Sequence, residues 1–400
     1  MSRNPDPAEV LLTRRVVACV GAGGVGKTTL AAALGLGAAR RGRRALVLTI
    51  DPAKRLADAL GVGTLGPEPS AIPRPVLERL GVPEGGALFA MMLDMKRTFD
   101  ELVGRFAPDA AAQERILSNR IYQHVSDALA GSAEYSAMEK VYEMSARPEF
   151  DVVVLDTPPS AHALDFLEAP ERLIGLLDSR VVQLLLHPAF SAGRLGLRLF
   201  QRGAHQAFQW IERITGFGFL EDVSEFLLAF EGMSEGFRRR AESVRQLLFG
   251  PETAFVLTAA ASGESVAHAR DLLARLAAHR ANVVGVVANR VRLWPDGAKP
   301  LPAPSERKGW VEQLAAAFEA QAGAAFPARD AARAALDMLD SYAAAVARDA
   351  QATAPLLAEA SLRGCFVRQV PELPRDVHDL DGLAEIERRV FAKPNDQEKA

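Results

Sequence analysis

The sequence has little cysteine, and this scarcity excludes several kinds of site. Two cysteines in 400 residues, Cys19 and Cys365, cannot form a disulfide framework or a four-cysteine zinc site. Both stand within short apolar runs, a position typical of buried structural thiols. We therefore expect no bound zinc and no thiolate cluster.

Long apolar runs and an excess of one charge are also absent. No run of ~18 apolar residues occurs, so no transmembrane helix is predicted. The first residues, MSRNPDPAEVLLTRR, lack the apolar stretch of a signal peptide. We expect a cytoplasmic protein, with peripheral attachment to a membrane left open. Lys and Arg number 47 and Asp and Glu 50, a formal charge of −3, so no nucleic-acid partner is expected.

Seven short runs of apolar, often β-branched residues predict buried strands. Their residues do not alternate between polar and apolar, which is typical of parallel strands covered on both faces. Helical stretches between them imply right-handed crossovers. The sequence therefore predicts an α/β fold with a doubly wound, mostly parallel sheet. The seven runs are 15–20, 45–50, 88–93, 151–156, 255–258, 283–289 and 364–370.

Three longer intervals exceed simple crossovers between strands. Residues 96–146 and 170–249 have helical patterns, and we interpret them as a helical subdomain within a single domain spanning 1–400. An alanine-rich helical stretch, 312–360, precedes the last predicted strand. Proline and glycine cluster in 63–75 and 294–304, which we predict to be loops.

The segment GAGGVGKT, residues 21–28, fits the phosphate-loop pattern G-x-x-x-x-G-K-[ST]. A predicted strand precedes it and a helix-compatible run follows. Glycines let backbone N–H groups surround phosphate oxygens, while Lys27 supplies a charge and Thr28 a hydroxyl for Mg²⁺. The domain is therefore interpreted as a P-loop NTPase. The predicted phosphate-binding residues are Gly23, Gly24, Val25, Gly26, Lys27, Thr28 and Thr29.

Two aspartates at predicted strand ends complete this site. Asp156 ends the run DVVVLD, where a carboxylate can hold Mg²⁺ and its water. Asp51 follows another strand, and the carboxyl ends of parallel strands gather ligands. We expect Asp51 to orient or deprotonate the attacking water. The alternative for Asp51 is N-capping of the helix that begins near Pro52.

The base-binding residue is predicted at the end of the strand VVGVVAN. The amide of Asn289 can pair with the donor and acceptor edge of a purine. Guanine would need a carboxylate shortly after Asn289 to accept hydrogen bonds from its N1 and N2 donors. The residue at the corresponding position in the sequence is Arg292. We therefore expect ATP rather than GTP.

With these motifs, the chain resembles the arsenical pump-driving ATPase family. That family includes the targeting factor for tail-anchored membrane proteins and lies within the deviant-Walker class, beside the partition and septum-site ATPases. The stretch LFAMMLDMKRTFDELV resembles a bacterial and actinobacterial-type branch. The supporting segments are GAGGVGKTT at 21–29, LTIDPAKRL at 48–56, DTPPSAHALDFL at 156–167, ANRV at 288–291 and VPELPRDVHDLDGL at 370–383.

The resemblance implies a role for each matching position. Lys27 and Thr28 match the phosphate and magnesium residues, Asp51 the water-activating aspartate and Asp156 the Walker B aspartate. Asn289 and the backbone around Pro371 match the adenine contacts, and His162 matches the histidine of the second switch. The cofactors implied are ATP and Mg²⁺. A homodimer whose helical subdomains rearrange with the nucleotide is also implied.

Three departures from the family pattern bear on mechanism. Ala22 stands where the family has a signature lysine that reaches the partner's phosphates, so we expect slow hydrolysis. Lys54 or Arg55 can supply charge instead, the alternative being that both are solvated helix residues. The zinc-binding C-x-x-C pair of the targeting factor is missing, and the two predicted core cysteines do not favour arsenite binding.

Residues 181–211 contain no acidic residue, and Arg194, Arg198 and Arg202 stand there among leucines and phenylalanines. An apolar groove with a basic rim would suit a hydrophobic helix of a client or an anionic membrane. Packing within the helical subdomain is the alternative. We expect an ATP-driven switch that moves this surface. A client-binding chaperone, a partition-type positioning ATPase and a small-molecule kinase remain alternatives.

Overall fold

A computed structural model of the chain describes residues 5–51, 55–119, 122, 132–158, 168–172, 174–175, 217–295, 298, 301–323, 325–377 and 379–392. Eight strands form one sheet in the order β3-β4-β2-β5-β1-β6-β7-β8. Every neighbouring pair is parallel except β3 with β4, which is antiparallel. The strands are β1 Val16–Gly21, β2 Arg44–Thr49, β3 Ser70–Ala71, β4 Ala87–Met92, β5 Val152–Asp156, β6 Thr253–Ala260, β7 Val283–Val291 and β8 Phe366–Pro371.

The seven predicted strands and the α/β class are confirmed. The additional strand, β3, lies in the predicted loop 63–75. A strand of two residues is too short to show a pattern of polar and apolar residues, and β3 is defined only by its pairing with Phe89 and Ala90 of β4. It is exposed and closes one edge of the sheet.

Helices flank the sheet. Those that the structure describes are α1 Pro7–Leu11, α2 Lys27–Arg40, α3 Arg55–Ala59, α4 Arg74–Arg79, α5 Met95–Phe106, α6 Ala110–Ser118, α7 Ser132–Ala146, α8 Phe217–Phe249, α9 Gly263–Ala278, α10 Trp310–Ala322, α11 Ala328–Leu362 and α12 Leu380–Phe391. Among them, none is apolar over a length that would cross a bilayer.

The helices divide into two layers, one on each face of the sheet. Residues of α2 and α12 pack with Val17, Cys19 and Phe366 on one face. On the other, apolar side chains of α7, α8, α9 and α11 pack on Val16, Leu155 and neighbouring strand residues. Both faces are thus buried, which explains why the strand sequences are almost continuously apolar.

A third apolar cluster lies among helices away from the sheet. Phe99 and Leu102 of α5, Ile116 of α6 and Phe237 of α8 pack together there. The helix α8 also reaches the sheet layer through Val244 and Leu248. Residues 181–211, which carry the predicted effector groove, lie outside the described residues.

The interval 312–360, predicted as one helical stretch, is formed by two helices. α10 ends at Ala322, where Gly323 has a left-handed φ of +87°. α11 then begins at Ala328 and runs for 35 residues to Leu362. Its last turns pack on the sheet through Leu356 and Ala360.

Candidate nucleotide-binding site

The loop between β1 and α2 has the conformation that its glycines permit. Gly24 and Gly26 have φ values of +75° and +91°, in the left-handed region that favours glycine. At Gly26, an added Cβ atom would also lie 2.2 Å from Nδ2 of Asn289. The loop is therefore tightly folded against the end of β7, and α2 begins directly at Lys27.

Lys27 is buried although it is charged, with 7% of its surface exposed. Its Nζ donates a hydrogen bond to the carbonyl oxygen of Ala22, at 2.8 Å. Burial lowers the pKa of Lys27, and the negative charge of Asp156 acts in the opposite direction. A cation held inside the loop is suited to an anionic ligand that replaces its hydration.

Asp156 ends β5, the strand between β1 and β2. It is 1% exposed, and its Oδ2 accepts a hydrogen bond of 2.9 Å from the hydroxyl of Thr49. Burial raises the pKa of Asp156 to about 6, although the hydroxyls of Thr28 and Thr49 and the charge of Lys27 oppose the shift. Its Oδ1 is buried and has no hydrogen-bond partner among the described residues.

The unpartnered oxygen fits a magnesium site. A buried acceptor without a donor is destabilising, and a metal ion or its bound water would satisfy it. Mg²⁺ prefers oxygen ligands and commonly uses one or two protein groups, completing its shell with water and phosphate. Thr28 and Asp156, the two residues predicted to hold the metal, are thus chemically suited to it.

Asp51 is joined to this group through Thr49. The backbone N–H of Asp51 donates to the Thr49 hydroxyl oxygen at 3.2 Å, and that hydroxyl donates to Asp156. The Asp51 carboxylate also lies 3.5 Å from the guanidinium of Arg55. Thr49 is a site residue that we did not predict. The feature of the sequence that could have identified Thr49 is its hydroxyl two residues before Asp51, at the end of the strand that pairs with the strand of Asp156.

A second group of predicted residues lines one cavity of about 130 Å³ beside the loop. Gly26, Thr29, Asn289 and Pro371 all border it, together with residues that follow β8. Asn289 is 8% exposed, and its Nδ2 donates to the carbonyl oxygen of Val25 at 2.8 Å. One donor of the amide therefore holds the phosphate loop. The added lining residues are Arg290, Glu372, Leu373, Arg375, Asp376, Val377 and Ile386.

A strand irregularity explains how Asn289 reaches the loop. The pairing of β7 with β8 shifts between Ala288 and Val291, and Arg290 has a φ of +55°. Such bulges redirect side chains and are common beside functional sites. Sequence patterns do not show this bulge, because both flanking residues continue an apolar strand.

The structure removes one argument for ATP over GTP, the argument based on Arg292. Arg292 forms a bidentate ion pair with the buried Asp349 of α11, with both N–O distances at 2.9 Å. Meanwhile Glu372 and Asp376 place carboxylates along the cavity. The preference for ATP over GTP thus no longer follows from Arg292, and it stays a prediction.

The remaining predicted residues are placed as follows. Cys19 and Cys365 are both buried, which confirms them as core thiols, and burial raises the pKa of each. His162, which the resemblance assigns to the second switch, and Lys54 lie outside the described residues. Ala22 is partly buried in the loop, where its carbonyl accepts from Lys27.

Comparison with known proteins agrees with this geometry. Residues 14–308 match the model of a family described as anion-transporting ATPase. The uncharacterised protein SCO2128 of Streptomyces coelicolor is 33% identical over 181 residues, which are 45% of this chain and 42% of that protein. An "ATPase ASNA1 homolog" of Entamoeba dispar is 31% identical over 201 residues, 47% of this chain and 57% of the other.

A "putative arsenical pump-driving ATPase" of Halobacterium salinarum is 29% identical over 158 residues, covering 40% of this chain and 24% of the relative. The matched part of this chain therefore covers between 24% and 57% of the length of these curated relatives.

Proposed function

Because the chain belongs to the anion-transporting ATPase family, we propose that it binds Mg·ATP at the β1–α2 loop and hydrolyses it to ADP and phosphate. One observation carries this proposal. Lys27, Thr28, Asp51 and Asp156 lie at or just after the carboxyl ends of three adjacent strands, and the Thr49 hydroxyl joins Asp51 to Asp156. Phosphoryl transfer depends on such positioned charges and oxygens.

Each residue has a distinct task in this proposal. The loop N–H groups and Lys27 hold the β- and γ-phosphates, while Thr28 and Asp156 hold the metal. Mg²⁺, when bound, neutralises charge on the phosphates. Asp51 orients the attacking water and accepts its proton. The cavity bordered by Asn289 and Pro371 receives the adenine.

We further propose that the nucleotide state is transmitted to the helices. α7 is followed within a few residues by β5, which carries Asp156, and α8 contacts both the sheet layer and the outer helical cluster. The two helices are joined by a bidentate ion pair between Arg240 and the buried Glu139, at 2.6–2.9 Å. This pairing supports a helical unit that moves as one body when the site closes.

Replacement of Asp51 by asparagine tests the assignment of the water-activating group. ATP binding by Asp51→Asn should stay near the wild-type value, because the phosphate and metal contacts remain. Its turnover should fall by ~10²-fold or more, as expected when a base or water-positioning group is removed. Asp58→Asn, an exposed aspartate on α3, is the matched control and should keep the wild-type rate. Equal rates for wild type and Asp51→Asn would reject the role of Asp51.

A homodimer and a hydrophobic or membrane-associated client complete the proposal. Both follow from family resemblance, and the segment proposed to contact a client is 181–211. Sedimentation in ADP and in a non-hydrolysable ATP analogue would show whether two copies associate in the ATP state. Co-purification with the slowly hydrolysing Asp51→Asn variant in ATP would trap a client. A monomer in both nucleotides would reject the dimeric switch.

A further inference from the structure

Ala22 supplies no positive charge to the loop, but the structure places a positive group, Arg55, beside Asp51. The side chain of Ala22 is a methyl group, and its carbonyl already accepts a hydrogen bond from Lys27. Arg55 is the first residue of α3, four residues after Asp51. Its Nη1 lies 3.5 Å from Oδ2 of Asp51.

The helix α3 fixes the backbone of Arg55 but leaves its head group accessible. Leu56, Ala57 and Ala59 are buried against the core, whereas 68% of the Arg55 side chain is exposed. Exposed ion pairs of this kind are weak, so the guanidinium can leave Asp51 at little cost. The long side chain can then turn toward an anion at the loop.

Arg55 stands at the edge of the proposed site. The Asp51 carboxylate that it contacts belongs to a residue whose backbone N–H is joined through the Thr49 hydroxyl to Asp156. A guanidinium also matches phosphate oxygens in a bidentate manner, which an ammonium group cannot do.

We propose that Arg55 is the cation that stabilises the transferring phosphoryl group in this chain, acting within its own subunit in place of the lysine missing at Ala22. The inference rests on the proposed ATPase function. In the step, the water oxygen bonds to the γ-phosphorus and one water proton passes to Asp51. The bond to the β-phosphate oxygen breaks, and its electron pair leaves with ADP. Arg55 exchanges no proton and only compensates the developing negative charge.

Three variants test the role of Arg55 in steady-state hydrolysis. Arg55→Ala should lower kcat by ~10²-fold, the effect of removing one preorganised charge-stabilising donor, and change KM little. Arg55→Lys should recover part of that loss. Arg239→Ala is the control, because Arg239 is 77% exposed and also forms an i,i+4 pair with a carboxylate, but on α8. It should keep the wild-type rate.

Binding of a transition-state mimic gives a readout that does not depend on turnover. Calorimetry should show that Arg55→Ala binds Mg·ADP like wild type but loses the tighter binding of Mg·ADP with aluminium fluoride. Thermal unfolding of each variant checks the fold, and Arg55→Gln replaces the alanine variant if that one unfolds. Equal aluminium-fluoride affinity in wild type, Arg55→Ala and Arg55→Gln would overturn the inference.

Mixing experiments separate action within a subunit from action across a dimer. Arg55→Ala mixed with the binding-defective Lys27→Ala should keep the low rate of Arg55→Ala alone, because neither subunit has a complete site. Recovery of activity on mixing would show that Arg55 acts on the partner and would overturn the proposal. If the wild type hydrolyses ATP and Arg55→Ala does so at the same rate, only the role of Arg55 is refuted. A wild type that neither binds nor hydrolyses ATP refutes the proposed function itself.

Discussion

Replacing Asp156 with asparagine should stabilise the metal-free protein at neutral pH while removing its response to Mg²⁺. Burial raises the pKa of Asp156 from 3.8 to about 6 in the folded chain. Between these two values the folded state binds more protons than the unfolded state, so stability falls as pH rises. Each pKa unit corresponds to ~1.4 kcal/mol, and the difference of about two units gives ~3 kcal/mol above pH 6.

Asparagine mimics the neutral carboxyl and avoids this penalty, and its amide oxygen can still accept from Thr49. Urea unfolding in EDTA at pH 4.5, 5.5 and 7.5 should show an advantage of Asp156→Asn that grows with pH to ~3 kcal/mol. Asp151→Asn is the matched control. Arg44 lowers the pKa of Asp151 to about 2, so its stabilising charge is lost only in more acidic solution. Asp151→Asn should therefore lower the free energy of unfolding by a constant amount across the same pH range.

Two results would refute this reasoning. The first is a difference between wild type and Asp156→Asn that does not change between pH 4.5 and 7.5. The second is a wild type more stable than the variant at pH 7.5 without metal. Either would show that the buried carboxylate is not held at an energetic cost, and that its free oxygen is not reserved for a cation.

Two further substitutions test the packing of Gly26 against Asn289 and the ion pair between Arg292 and Asp349. Gly26→Ala should destabilise the protein by about 2–3 kcal/mol in urea unfolding and weaken nucleotide binding, because the added Cβ would meet Asn289 and the φ of residue 26 is left-handed. The control is Gly24→Ala. It has open space around the added Cβ and should show only the cost of the left-handed backbone. Loss of nucleotide affinity in both variants alike would contradict this contact. Asp349→Ala should destabilise by about 1–3 kcal/mol, because Arg292 loses its buried acceptor, and an unchanged urea midpoint would show that the pair contributes nothing.

The sheet was predictable from sequence because its strands are buried on both faces. Continuous apolar runs such as 151–156 and 283–289 leave little choice of structure, and the phosphate loop fixes their functional edge. The exception, β3, is too short to carry a pattern and depends on its partner β4. Strand burial is thus a property of local sequence, whereas edge pairing is a property of the fold.

The placement of the candidate site residues was predictable where a motif determines it. It was unpredictable where it depends on tertiary contacts. Lys27, Thr28, Asp51 and Asp156 follow from the loop and the strand ends. The donation from Asn289 to the loop depends on a bulge that no pattern shows. The carboxylates of Glu372 and Asp376 reach the cavity from a segment more than 80 residues after Asn289. Base choice therefore cannot be settled from the residues adjacent to Asn289.

Calorimetric titration of the wild type and Lys27→Ala with ATP, in the presence of Mg²⁺, tests the central claim most directly. Lys27 is buried at the start of α2, directly after the β1–α2 loop, and the proposed function gives it the central contact with the phosphates. Lys308→Ala, which changes an exposed lysine, is the control. We predict that wild type and Lys308→Ala bind ATP alike, while Lys27→Ala loses most of its affinity. Equal binding by wild type and Lys27→Ala would contradict the account.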